Sequence, residues 1–181
     1  MIILNQIPKS WNTDRLSISD LTKQEVPIIQ DIYQTSTYMN AWDGREYDPD
    51  HIRKCLINGN LPPEGLLENY RIQTIRITEN QQPIGLISLY HGYPVEHSLY
   101  LEFLYIHGDI QKQGFGQEII KEFSSVVAEL GYKEIRINVS TKNWPALRYW
   151  IKSGFSEVNG IYGDSIYSES SFSNLELMMT L

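Results

Sequence analysis

Gln111-Lys112-Gln113-Gly114-Phe115-Gly116-Gln117 is the stretch that decides how this chain is read. It is preceded by Leu99–His107 (LYLEFLYIH), an almost wholly apolar run suited to a central strand. It is followed by Phe115, Ile119, Ile120, Phe123, Val126, Val127 and Leu130, spaced at three and four residues as in an amphipathic helix, with Gly131 just past its end. Two glycines at a strand-to-helix junction let the backbone approach a ligand closely. The first amides of the helix point outward with the positive end of the helix dipole behind them, an arrangement suited to a diphosphate. A tight turn alone would also use two glycines. The P-loop pattern is absent, and the dinucleotide fingerprint G-x-G-x-x-G fails at Ile119.

Working outward from this junction, residues 13–20 read as a strand, and Asp20 and Thr22 precede a helix through Val26, Ile28, Ile29 and Tyr33. Residues 35–69 are irregular, with a helix expected near His51–Ile57 and a turn at Leu61–Gly65. Tyr70–Thr78 and Ile84–His91 form a hairpin around 79–83. Beyond the long helix, Ile135, Ile137 and Val139 alternate as a strand. Asn143 caps a short helix running to Gly154, and Phe155–Ile161 and Leu175–Thr180 close the sheet around a polar Ser/Tyr-rich stretch. The expected fold class is α/β, a mixed and predominantly antiparallel sheet flanked by helices, in one domain over 1–181. A chain of 181 residues has enough core for that.

Composition narrows the function. Fifteen Lys/Arg against 22 Asp/Glu give a net charge of −7, which argues against a nucleic-acid partner. The charge is uneven: residues 109–152 carry seven Lys/Arg and five Asp/Glu, leaving the rest strongly acidic. An anionic cofactor held by the basic section and a cationic substrate elsewhere would suit this division, as would a merely solvated acidic surface. No apolar run approaches the ~18 residues of a membrane span. Met1–Asn5 is too brief an apolar run for a signal peptide. Cys55 is the only cysteine, so there is no internal disulfide and no multi-cysteine metal site; a cytoplasmic setting without a metal is expected.

At this point the chain resembles the GNAT superfamily of acetyl-CoA-dependent N-acyltransferases. Their [QR]-x-x-G-x-[GA] signature is met by Gln111, Gly114 and Gly116, after Leu104-Tyr105-Ile106-His107-Gly108-Asp109, with Gly108 where proline is common. A second block, Asn143, Ala146, Gly154 and Phe155, matches their N-x-x-A…G-F pattern. The likeness is close over 95–155 and its strand order extends it to 13–181. It implies splayed central strands with the pantetheine arm of acetyl-CoA between them, bound by main-chain groups of Leu104 and Ile106, and Leu104 N–H on the thioester carbonyl. It implies that Lys112, Gln113, Gly114, Phe115, Gly116 and Gln117, with Gln111, cradle the pyrophosphate, and that Asn143 anchors the cofactor from across the cleft. The activity implied is acetyl transfer to a primary amine, on a small molecule or an exposed amino group, by direct attack in a ternary complex. A non-catalytic acyl-CoA-binding module and an acetyltransferase of protein amino termini are the alternatives. The acceptor, the acyl-chain preference and the oligomeric state are open, and a homodimer is compatible with the chain.

Catalytic candidates follow. Glu102 is the only charge in 99–107, a place where a carboxylate rarely sits without purpose, and is the candidate general base; a solvent-facing strand residue is the alternative. His107 suits a cap or loop role. His91 and Tyr90 either line the cleft or lie on the surface. Cys55 reads as a small buried residue. Tyr38, Trp42, Tyr47, Asp43, Glu46, Asp48 and Asp50 either cover an ammonium-bearing acceptor or form a solvated loop. Relatives often carry a tyrosine acid seven residues after the capping asparagine. Here that position is Trp150, and Tyr149 precedes it, about 100° around the helix. Tyr149 is therefore the candidate acid only if the helix brings it in; water is the other proton source.

Overall fold

A computed structural model describes residues 6–181, so the reading of Met1–Asn5 falls outside the described residues. The strands are β1 (Ser10–Asn12), β2 (Leu16–Asp20), β3 (Tyr70–Ile77), β4 (Pro83–His91), β5 (Ser98–Ile106), β6 (Glu134–Ser140), β7 (Glu157–Gly163) and β8 (Ser173–Thr180). They form one eight-stranded sheet in the order β1-β2-β3-β4-β5-β6-β8-β7. Every pairing is antiparallel except β5 with β6. The helices are α1 (Val26–Gln34), α2 (Asn40–Asp43), α3 (His51–Asn58), α4 (Phe115–Glu129) and α5 (Trp144–Lys152). The expected mixed α/β class is what the chain adopts. The expected strand over 13–20 is shorter, and it pairs with the additional strand β1, whose three residues are too few to show a period.

Helices cover both faces. Phe115, Ile119, Ile120, Phe123 and Val127 of α4, with Leu147 and Trp150 of α5, pack on Ile87, Leu89, Leu99, Leu101, Ile135, Ile137 and Val139. On the other face Ile29, Ile32 and Tyr33 of α1, and Ile52 and Cys55 of α3, pack on Ile72, Leu86 and Tyr105.

The centre of the sheet is irregular. In the β4–β5 ladder Ser88 faces Phe103 but Leu89 faces Leu101, so Glu102 is an extra residue, a β-bulge. The bulge shifts side-chain parity: Leu99 and Leu101 before it, and Leu104 and Ile106 after it, all join the α4/α5 core, while Phe103 and Tyr105 join the α1/α3 core. The parallel β5–β6 pairing ends at Tyr100 with Arg136, just before the bulge. From there the two strands separate.

His91 fixes the start of the described chain to this sheet. Its Nε2 accepts from Ile7 N–H at 3.0 Å, so Nδ1 carries the proton and donates to the Asn69 carbonyl at 2.8 Å. Both nitrogens are satisfied by a neutral ring, and burial lowers its pKa below the usual histidine value. The unfolded ring therefore takes up a proton first as pH falls, and folding stability declines from about pH 6.5 downward. His51 is lowered by burial as well and acts in the same direction. Calorimetry should show Tm falling as pH is lowered from about 6.5 to about 5.5, above the usual carboxylate range. His91→Gln should start lower and lose less over that interval; an unaltered slope would remove His91 as a cause.

Candidate functional site

The separation of β5 from β6 opens a cleft of ≈ 530 Å³ running to the start of α4. Its β5 wall has unpaired main chain. His107 N–H donates to the Ile84 carbonyl at 2.8 Å, so residues 84 and 107 are a bonded pair. Ladder alternation then turns the N–H and C=O of Ile106 and Leu104 away from β4 and into the cleft. The Ile106 carbonyl is already occupied, accepting from Gln111 Nε2 at 2.7 Å. Gln111 thus ties the loop to the strand end, and the main-chain groups of Leu104 and the Ile106 N–H remain.

The floor is the glycine loop. Gly114 has φ of +86° and Lys112, although not glycine, +65°, so the chain makes two left-handed steps before α4 begins. The Cβ position of Gly116 would lie 2.7 Å from the Tyr149 hydroxyl oxygen, so glycine lets these elements meet without displacing the Tyr149 ring. Lys112, Gly114, Phe115, Gly116 and Gln117 line the cleft. Gln113 is not among its lining residues: its carbonyl accepts from Arg15 Nη1 at 3.2 Å. Arg15 also stacks on the Phe115 ring at 4.3 Å and pairs with Glu118 at 2.7 Å, and Glu118 accepts from Thr13 Oγ1 at 2.5 Å. A distant hairpin therefore braces the loop, a contact with no trace in the local sequence.

The far wall is α5. Asn143 Oδ1 accepts from Ala146 N–H at 3.1 Å, the expected cap, typically worth about 1 kcal/mol. Its Nδ2 makes only a 3.8 Å contact to Met39 Sδ and is otherwise free to donate into the cleft. Tyr149 and Trp150 both line the cleft, their rings edge-to-face at 4.9 Å, so adjacent positions on the helix do not exclude either. The Tyr149 hydroxyl is buried with no hydrogen-bond partner, and burial pushes its pKa up to about 12. Tyr38 and Trp42 close the top.

A second pocket of ≈ 300 Å³ adjoins the first at Met39, Leu104, Asn143, Ala146 and Trp150. Glu102, Phe103, Asp43, Arg45, Asn138 and Asn174 line it. Glu102 accepts from Ser88 Oγ at 2.5 Å, from Tyr70 hydroxyl at 3.3 Å and from Asn60 Nδ2, all neutral donors; no cation pairs with it among the described residues. Its charge raises the Tyr70 hydroxyl beyond the effect of burial. Tyr70, Ser88 and Asn60 escape a sequence reading because only strand register brings them to Glu102.

The 35–69 region divides. Tyr38 and Trp42 face the first pocket and Asp43 the second. Asp48 pairs with Lys54 and Asp50 with Arg53, as solvated ion pairs, Glu46 is exposed, and Tyr47 stacks on Tyr33. His91 and Tyr90 are buried structural residues, Tyr90 hydroxyl accepting from Leu66 N–H at 2.7 Å. His107 Nδ1 accepts from Asp109 N–H at 3.3 Å as a cap. Cys55 is buried, its thiol pushed up to about 11 by burial, which leaves it unreactive. No cluster of His, Cys, Asp and Glu suited to a metal occurs among the described residues. None of the described helices is long and apolar enough to cross a membrane.

The family model described as "Acetyltransferase (GNAT) family" matches residues 29–155. No curated protein matches. Among solved structures, an acetyltransferase from Thermus thermophilus aligns with TM-score 0.71 at 19% identity, covering 94% of this chain and 100% of its own. A ribosomal L7/L12 α-N-protein acetyltransferase in complex with coenzyme A aligns with TM-score 0.73 at 13% identity, covering 97% of each chain. A spermidine N-acetyltransferase from Vibrio cholerae, in complex with coenzyme A and spermine, aligns with TM-score 0.68 at 15% identity, covering 92% of this chain and 95% of its own.

The contact between Gly116 and Tyr149 gives a stability prediction. Alanine in a helix should gain up to about 1 kcal/mol over glycine, yet here its Cβ meets a hydroxyl 2.7 Å away. Gly116→Ala should therefore destabilise the protein, and should cost at least about 1 kcal/mol less when Tyr149→Phe removes the hydroxyl. Denaturant unfolding of the four proteins measures this coupling. Additive losses would show that the hydroxyl does not set the contact.

Proposed function

The chain belongs to the acetyltransferase (GNAT) family, and on that premise we propose that it moves an acetyl group from acetyl-CoA to a primary amine by direct attack, with 1–181 acting as one catalytic domain. The observation that carries this is the junction of the two pockets at Leu104. There an unpaired strand edge leading to an anion-binding loop meets a carboxylate-lined chamber.

The cofactor's pyrophosphate suits the loop amides of 112–117, the N-terminal dipole of α4 and the Lys112 ammonium. Its pantetheine arm suits the free edge of β5 as an added strand, bonding to Leu104 and to the Ile106 N–H. Asn143 Nδ2 donates from the opposite wall. The fit supports acetyl-CoA as the acyl source, and acetyl supplies the group transferred. Gln113 contributes through loop shape, since its carbonyl points to Arg15.

The acceptor amine enters from the Glu102 pocket. An ammonium has no lone pair, so it first gives a proton to Glu102, directly or through a water. The free amine attacks the thioester carbonyl, whose oxygen takes its developing charge to the Leu104 N–H. The N–C bond forms as the C–S bond breaks, and the nitrogen loses its second proton. One proton neutralises the departing thiolate and the other leaves to solvent. With a thiol pKa of about 8.5 the thiolate is a tolerable leaving group. We assign its protonation to water, with Trp150 as a packing wall and Tyr149 as a minor contributor.

Three measurements test this reading. Calorimetric titration with acetyl-CoA should show saturable binding that Gly114→Val weakens strongly, because a β-branched residue cannot hold φ of +86° without distorting the loop; undiminished affinity in a folded variant would sink the cofactor site. Glu102→Gln should lower turnover by about 10²–10⁴-fold at neutral pH, with the loss shrinking as pH rises and free amine accumulates. A parallel pH–rate profile would take Glu102 out of the mechanism. Tyr149→Phe should change turnover by less than about tenfold, below the usual range for a lost general acid; a hundredfold loss would make Tyr149 the acid.

A further inference from the structure

The charges of the second pocket are arranged in a way the family match does not address. Asp43 is consumed by one residue: its Oδ1 accepts from Arg45 N–H at 3.0 Å, and its Oδ2 from Arg45 Nε at 2.9 Å and Nη2 at 2.6 Å. Both side-chain bonds use one edge of the guanidinium. Nη1, on the other edge, has no partner among the described residues, and the Arg45 side chain is 47% exposed where it lines the pocket. The guanidinium also lies 5.7 Å from the centre of the Phe103 ring, which is adjacent in sequence to Glu102. Glu102, by contrast, accepts hydrogen bonds only from neutral donors and forms no ion pair among the described residues, although it and Arg45 attract one another through space.

The pocket lining thus offers a carboxylate without an ion pair, on β5, and a guanidinium edge free to form hydrogen bonds, on the segment after α2. An amine with an anionic group close by meets both. A polyamine would bring a second ammonium toward Arg45. The volume, ≈ 300 Å³, lies at the small end of the about 300–1,000 Å³ typical of small-molecule sites.

We propose that the acceptor is a free amino acid, its ammonium placed by Glu102 and its carboxylate bound by Arg45. This rests on the acyltransferase reading above and assigns Arg45 as the residue that sets acceptor specificity. A guanidinium suits the task because its planar fork can bind a carboxylate through parallel N–H bonds, which a lysine cannot do.

The experiment measures release of free CoA thiol from acetyl-CoA across the amino acids, each compared with its decarboxylated amine and its carboxamide, and with spermidine. At least one amino acid should exceed its own amine and amide by about tenfold or more in kcat/KM. Arg45→Met alone leaves Asp43 unpaired in the pocket, so the informative variant is Asp43→Asn with Arg45→Met, which removes both charges. In it the amino acid-to-amine ratio should fall toward one, and Arg45→Lys with Asp43 intact should give an intermediate ratio. Circular dichroism and Tm confirm that each variant folds. Preference for amines, amides or spermidine in the wild type overturns the proposal, as does a ratio that ignores the variants. Turnover of none of these compounds, with acetyl-CoA binding intact by calorimetry, also overturns it while leaving the cofactor site standing. Failure to bind acetyl-CoA overturns the proposed function itself.

Discussion

A single extra residue in β5 organises the centre of this protein. With Glu102 inserted opposite Leu89, the strand turns and its pairing with β6 stops at Tyr100. An unpaired strand edge buried in a core would be costly, since each main-chain donor or acceptor left without a partner costs about 1–3 kcal/mol. The fold therefore leaves the edge beside a cleft, where water or a ligand can satisfy it. The same insertion moves Leu104 and Ile106 into register with the α4/α5 core and brings the Glu102 carboxylate to Tyr70 and Ser88. Binding edge and carboxylate thus share one cause, the bulge in β5.

Charge is divided along the same line. The loop side presents main-chain amides, a helix N-terminus and Lys112, all drawn to anions. The Glu102 side presents a carboxylate whose hydrogen-bond donors are hydroxyls and an amide rather than cations. The two meet across Leu104 and Asn143, so a negatively charged donor and a positively charged acceptor group can be drawn to one point from opposite sides. The acidic overall balance of the chain is compatible with this because the basic residues of 109–152 lie nearer the loop in sequence.

Sequence carried the parts of this arrangement that depend on local rules. The period of Phe115 to Leu130 gives α4, Gly114 marks its start, and Asn143 with Pro145 marks the start of α5. Those features place the cleft. What local rules could not show is pairing. The bulge is invisible in LYLEFLYIH because it exists only relative to β4, and so the face taken by Glu102 was undetermined. Tyr70, Ser88 and Asn60 reach Glu102 across 32, 14 and 42 residues. Arg45, inside an acidic and aromatic stretch, carries no periodic signal at all. Tyr149 and Trp150 lie about 100° apart around α5, yet both line the cleft, their two large rings packed edge-to-face.

The brace from Thr13 and Arg15 to Glu118 and Gln113 has a consequence for what counts as the working unit. Residues 29–155 are the family segment, yet the loop that would grip the cofactor is buttressed from residues 13–15, and β6 is completed on its far side by β8, from residues 173–180. The recognisable segment is therefore smaller than the cooperative one. A fragment trimmed to the matched boundaries would keep every signature residue and lose Thr13 and Arg15, the groups that contact Gln113, Phe115 and Glu118. The bracing contacts span 98 and 105 residues of chain, so the loop's support depends on long-range closure and not on the formation of α4 alone.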